Sequence, residues 1–262
     1  MKAREKFYTN IVKKVISDKE APILICGGGE LDKNIFIDLG FKNVTISNLD
    51  IRQKAEQYAP FTWKYENAEN LSFSDNSFDY VVIHAAIHHA CSPHRVLTEM
   101  YRVARKGVLA FESRDSFIIR LLEKLHLTQT YEHAAVYYND GKYGGVNNTE
   151  IPNYIYRWTE REVEKTIRSY SPSFRHKYSY FYGTAFPCTP ELEKRGRLKY
   201  YLLTVAKPFF YLFSKFFPKQ QNQFAFFIGK PDLPGSLHPW LMMNKENNKI
   251  RFNRKWGEDR YR

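Results

Sequence analysis

Along the first 115 residues, short apolar runs alternate with stretches in which apolar side chains recur every three or four positions. Ile23–Cys26, Val44–Leu49, Tyr80–Ile83 and Val108–Phe111 have the length and continuity of buried strands. Phe7, Ile11, Val12, Val15 and Ile16 predict an amphipathic helix over 5–17. A second helix is expected from about Leu31 to Leu39, stopped by Gly40, and a third over Pro93–Val103 with Val96, Leu97, Met100 and Val103 on one face. A short helix near Gln53–Tyr58 and a strand at Thr62–Tyr65 complete this part. Strands alternating with helices predict an α/β fold with a mainly parallel sheet covered on both faces.

Later segments read differently. A helix is expected over Phe117–Leu127, but the tyrosine- and glycine-rich stretch that follows it has no period. Thr159 is placed to cap a helix running to about Tyr170. Tyr178–Tyr182 and Phe224–Ile228 are strand-like. An unperiodic run this long in a compact domain marks a functional lid, so 116–158 is assigned to substrate choice. Residues 198–217 are the most apolar run. Lys199, Lys207, Lys215 and Pro208 argue against a membrane span there and for an aromatic, basic helix lying on a surface. Residues 231–262 read as a basic extension that its HPWL and RKW clusters pin to a domain formed by 1–230.

Candidate chemistry gathers where the predicted strands end. Gly27, Gly28 and Gly29 after the first strand let a ligand approach backbone. Asp50 closes the second strand at the position where ribose-binding acids stand. A dinucleotide site would share Gly27, Gly29 and Asp50 but needs a third glycine where Asp32 stands. Asn67 and Glu69 follow the third strand, His84, His88 and His89 the fourth, and Glu112 to Asp115 the fifth.

The block NAENLSFSDNSFDYVVIHAAIHHACSPHRVLTEMYRVARKG resembles the central part of the class I S-adenosylmethionine-dependent methyltransferases, the type-11 group, and the resemblance runs over about 20–115. It implies a Rossmann-like, doubly wound, mainly parallel seven-stranded sheet with an antiparallel last strand, and S-adenosylmethionine as cofactor. By that resemblance Gly27, Gly29 and Glu30 line the methionine and ribose part of the cofactor, and Asp50 takes the ribose hydroxyls. Ile51 packs on adenine, Asn67 and Ala68 meet the adenine edge, and His84 lies beside the methionine moiety. The chain departs from the group at Ile25, Leu31 and Asn67, and at Arg105-Lys106-Gly107, where a Pro-Gly-Gly turn is usual. His88 and His89 are the candidate bases for a hydroxyl or amine acceptor, ahead of Glu112, Asp115 and His133.

Charge refines the picture. The net +12 is concentrated in residues 191–262, which carry 15 basic and 6 acidic side chains, whereas 1–115 carry 16 and 15. Such a segment suits an anionic surface. Three scattered cysteines, Cys26, Cys91 and Cys188, suggest a reducing, cytoplasmic setting and no metal site. No apolar stretch follows the N-terminus to suggest a secretory signal. The expected activity is methylation of a small or carrier-linked acceptor, first a sugar or glycolipid of cell-surface polysaccharide synthesis, used near the inner face of the membrane. A lipid or quinone, RNA, or a non-catalytic scaffold role are the alternatives. Nucleic acid is disfavoured for lack of a recognised binding module.

Overall fold

A computed structural model describes residues 3–185, 196–231, 235–244 and 246–262, with nothing assigned to the side chain of Lys199. Cys188 and the first residues of the 190–220 insert lie outside the described residues. Seven strands form one sheet: β1 (Ile23–Cys26), β2 (Val44–Asn48), β3 (Thr62–Tyr65), β4 (Phe78–His84), β5 (Ala104–Ser113), β6 (Lys177–Gly183) and β7 (Gln223–Gly229). Their order across the sheet is β3-β2-β1-β4-β5-β7-β6. The first five run parallel, and β7 is antiparallel to both β5 and β6.

β1 is central, so Ile23, Leu24, Ile25 and Cys26 are all buried. Its neighbours set the layers. Leu24, Val81, Ile83, Val108, Phe224 and Phe226 face α3 (Pro93–Val103) and α6 (Glu160–Tyr170). Ile23, Ile25, Ile46, Val82, Leu109 and Phe111 face α1 (Ala3–Val15) and α2 (Glu30–Asp38). Each such side chain removed from water contributes roughly 1.5–3 kcal/mol, and the two cores fix the strand ends against one another. Thr159 caps α6 as expected, its hydroxyl accepting from the Glu162 amide at 3.2 Å while Glu162 accepts from the Thr159 amide at 2.8 Å.

Three expectations change. α3 passes straight into β5, so Arg105-Lys106-Gly107 is strand rather than turn. Arg105 and Lys106 both pair with the buried Asp79, and a Cβ on Gly107 would strike the Phe227 ring at 2.5 Å. The stretch 116–158 is ordered: α4 (Phe117–Lys124), α5 (His133–Tyr137) and a tight turn held by Gly145 N to Thr149 O and Val146 N to Ile151 O, both 2.8 Å. In the tail, HPWL does pin the chain, since Arg175 and His238 exchange backbone bonds with Ser236 and Ser173. RKW does not: Trp256 packs on Trp240 and Phe252 beside the hairpin of β8 (Leu241–Met243) and β9 (Ile250–Phe252), within α8 (Arg254–Tyr261).

The apolar run forms α7 (Arg197–Phe216), with Leu198, Leu202, Val205, Phe209 and Phe216 more than 60% exposed. No described helix is long and apolar enough to cross a membrane.

Candidate active site

The C-terminal ends of β1 to β4 surround a cavity of about 240 Å³. Gly27 from β1, Asn48 and Leu49 from β2, Asn67 and Ala68 after β3, and Ala85, Ala86 and His89 after β4 line it. Gly27 is required there. Its φ is +59°, and a Cβ would lie 2.6 Å from that of Ala86. Ala85 is itself held at φ +51° by donating to Phe111 O at 2.8 Å, local strain of the kind that gathers at functional sites. Asn48 donates to Gly28 O at 2.9 Å and so fastens β2 to the glycine loop.

The expected site residues separate into groups. Gly27, Asn67, Ala68 and His89 share the cavity wall. Gly29 begins α2, and its amide is taken by Asp32 at 2.9 Å; Glu30, next to it, is exposed. Ile51 is 70% exposed and does not line the cavity. His84 faces a different, smaller cavity with Arg4 and Phe7. It stacks on Tyr8 at 4.3 Å, and burial, with Arg4 and His88 nearby, pushes it down to about 3, so it is neutral. Glu69 points away, accepting from the Cys91 and Ser92 amides at the start of α3.

Asp50 is engaged by Arg52, which donates to Oδ1 from Nε at 2.8 Å and to Oδ2 from Nη2 at 2.7 Å and holds the carboxyl below its usual range. The same guanidinium reaches Asn139 Oδ1 at 3.1 Å and lies over the Tyr143 ring. The segment 138–148 thus closes over the cavity, contributing Gly144, Gly145, Asn147 and Asn148 to its wall.

His88 and His89, on the turn after β4, meet two carboxylates. His88 is buried; its Nδ1 is 2.6 Å from Glu112 and its Nε2 3.2 Å from Glu132. Burial opposes its charge, but Glu112 and Glu132 outweigh it and push the ring up to about 10. His89 Nε2 is 3.4 Å from the same Glu132 oxygen, and burial and then the His88 cation lower its pKa. Glu112 also accepts from the Ile87 amide at 2.9 Å, fixing the turn from below.

Sequence reasoning missed Tyr8, Arg52 and Glu132. Tyr8 donates to Asp32 at 2.7 Å and ties α1 to the glycine loop; a lone hydroxyl on the apolar face of α1 was the available signal. Glu132 carried none, because the lid brings it across 43 residues.

Residues 26–111 match the model of a methyltransferase domain family. That stretch lies within a sheet ordered 3-2-1-4-5-7-6 with an antiparallel β7. Solved structures share the fold. The 1,6-didemethyltoxoflavin-N1-methyltransferase of Burkholderia thailandensis is 13% identical, covering 88% of this chain and 80% of that one at a TM-score of 0.52. The magnesium protoporphyrin IX methyltransferase of Synechocystis PCC 6803 is 9% identical, covering 87% and 84%, at 0.51. The [4+2]-cyclase SpnF is 11% identical, covering 87% and 80%, at 0.50. No curated protein matches the sequence.

Proposed function

We propose that the chain methylates a hydroxyl or amine on a small or carrier-linked acceptor, with a sugar or glycolipid of cell-surface polysaccharide synthesis as the first class to test. The observation that carries this reading is that Gly27, Asn67 and Ala68 share one cavity wall with His89, the outermost member of a buried His–Glu cluster. Residues from four strand ends fit the cofactor. Gly27 leaves room for it, Asn67 and Ala68 edge the adenine, and Asp50 takes the ribose hydroxyls in exchange for Arg52. When bound, S-adenosylmethionine supplies a methyl group already activated by its sulfonium charge, so the protein's task is alignment and removal of the acceptor's proton. His89, kept neutral by burial, takes that proton, and the His88 cation between Glu112 and Glu132 holds the turn in place.

The setting proposed is the cytoplasmic face of an anionic membrane. α4 and α7 flank the turn at Pro218–Gln220, and Ile118 N donates to Gln220 Oε1 at 3.2 Å. Phe117 and Leu121 of α4, and Leu125 at its C-terminal end, are exposed like the apolar residues of α7, and the surrounding basic excess complements acidic headgroups. A carrier-linked acceptor would be met there.

Calorimetric titration with S-adenosylmethionine and S-adenosylhomocysteine, followed by transfer assays on sugars and lipid-linked glycans, tests the reading. Micromolar cofactor binding with turnover that falls about 10²–10⁴-fold in His89→Ala at unchanged cofactor affinity is expected. Wild-type turnover in His89→Ala would remove the base assignment, and a folded protein that binds neither compound would return the fold to a non-catalytic role.

A further inference from the structure

We infer that His88, His89 and Glu132 form a site for a divalent transition-metal ion at the acceptor end of the cavity. Nε2 of His88, Nε2 of His89 and one carboxylate oxygen of Glu132 all lie within 4.8 Å of one another. The two nitrogens are 3.2 and 3.4 Å from the same Glu132 oxygen. These two separations are close to those between ligands bound to one tetrahedral ion at about 2.0–2.2 Å.

The surroundings match the donor set. Glu112 sits on the far nitrogen of His88 at 2.6 Å, the carboxylate–imidazole pairing that orients a metal-bound histidine. The backbone of Gly145 stands against His89. A dication would take the place of the proton that His88 shares with Glu132 and would balance the two carboxylates, Glu112 and Glu132. Asn153, fully buried, lies against Glu132 and helps to orient its carboxylate. Two imidazoles and one carboxylate select zinc, iron, cobalt or manganese over calcium or magnesium.

His89 lines the cavity, so the remaining coordination position opens toward the acceptor. The site rests on the acceptor reading and changes one part of it: with an ion bound, Nε2 of His89 is a ligand and no longer the base. An ion held by His88, His89 and Glu132 would supply a Lewis acid that acidifies an acceptor hydroxyl; that proton would leave to solvent, and the methyl group would pass to the oxygen as its bond to the sulfonium sulfur breaks and S-adenosylhomocysteine departs. Because Glu132 is the residue before α5, the ion also pins the lid to the turn after β4.

The full-length protein, tag removed and stripped with a chelator, is titrated with zinc chloride by calorimetry and with cobalt chloride by visible absorption. One equivalent per chain is expected, with the absorption of a four- or five-coordinate cobalt and a higher melting temperature on adding zinc. His89→Ala and Glu132→Ala should each weaken binding about 100-fold or more, and Glu112→Gln about 10–100-fold. Circular dichroism confirms that each variant folds, and wild-type melting with and without zinc tests the site if one does not. Absence of a saturable equivalent, or binding unchanged in both His89→Ala and Glu132→Ala, overturns the inference. Titration of the stripped protein with S-adenosylmethionine reads the cofactor site separately, so failure of the metal and failure of the methyltransferase reading give different results.

Discussion

The donor wall of the cavity is made from the ends of β1 to β4 and the turns that follow them, all within residues 23–89, whereas its other wall is a lid that returns from residues 138–148. The first is rigid because β1 and β4 place side chains in both buried cores and β2 places Val44 and Ile46 in one of them. The second is held by local turn geometry and by a few polar contacts: Arg52 to Asn139, Asn148 to Leu49 O at 3.4 Å, and Glu132 to the histidines. A wall built from sheet ends suits a cofactor of fixed shape, and a wall built from turns is where a family changes its acceptor.

Two glycines separate these walls most sharply. Gly27→Ala puts a Cβ into Ala86 at positive φ and should cost about 1–3 kcal/mol of global stability, read as a fall of several degrees in melting temperature together with lost cofactor binding. Gly145→Ala would set a Cβ 1.9 Å from Ile151 O. The lid turn should open while the melting temperature stays near wild type, seen as fast proteolysis between 138 and 155. Equal melting losses in both variants would erase the distinction.

Asp50→Ala comes next, weakening cofactor binding by about 1.5–3 kcal/mol, the scale of hydrogen bonds to a charged group. Arg52→Ala should do the opposite and tighten it a few-fold, because the exposed arginine occupies the carboxylate at little net gain in stability. Calorimetry on the pair checks both signs.

A pH effect follows from His84. Its folded pKa lies far below that of the unfolded chain, so only the unfolded chain takes up a proton on mild acidification. Stability is full above about 6.5 and is lost as the pH falls from there toward 3. Melting curves of His84→Phe should be flatter over that interval; identical slopes would refute the assignment. The smallest effect on turnover with a soluble acceptor is expected for Phe209→Asp in α7, which should reduce sedimentation with anionic vesicles several-fold and leave turnover unchanged.

The donor wall was legible because its elements announce themselves by period and its residues follow strand ends at fixed offsets. Gly27, Asn67, Ala68 and His89, placed that way, line one cavity. Glu99 and Arg102, in the same block, clasp Leu71, Phe73 and Asp75 and lock the preceding loop onto α3. Asp32, counted against one kind of nucleotide site for not being glycine, caps α2 through the Gly29 amide. Ile51 and His84 sit at the expected offsets with their side chains turned elsewhere, since offset along a strand end does not set rotamer. The lid was illegible in detail because its order comes from Gly144, Gly145 and the left-handed Asn147 and Asn148, which leave no hydrophobic period.

One guanidinium, that of Arg52, serves both Asp50 and the lid residues Asn139 and Tyr143. A ligand whose hydroxyls claim the Asp50 oxygens displaces Arg52 from them and leaves that cation to Asn139 and Tyr143, so occupancy of one wall is felt at the other.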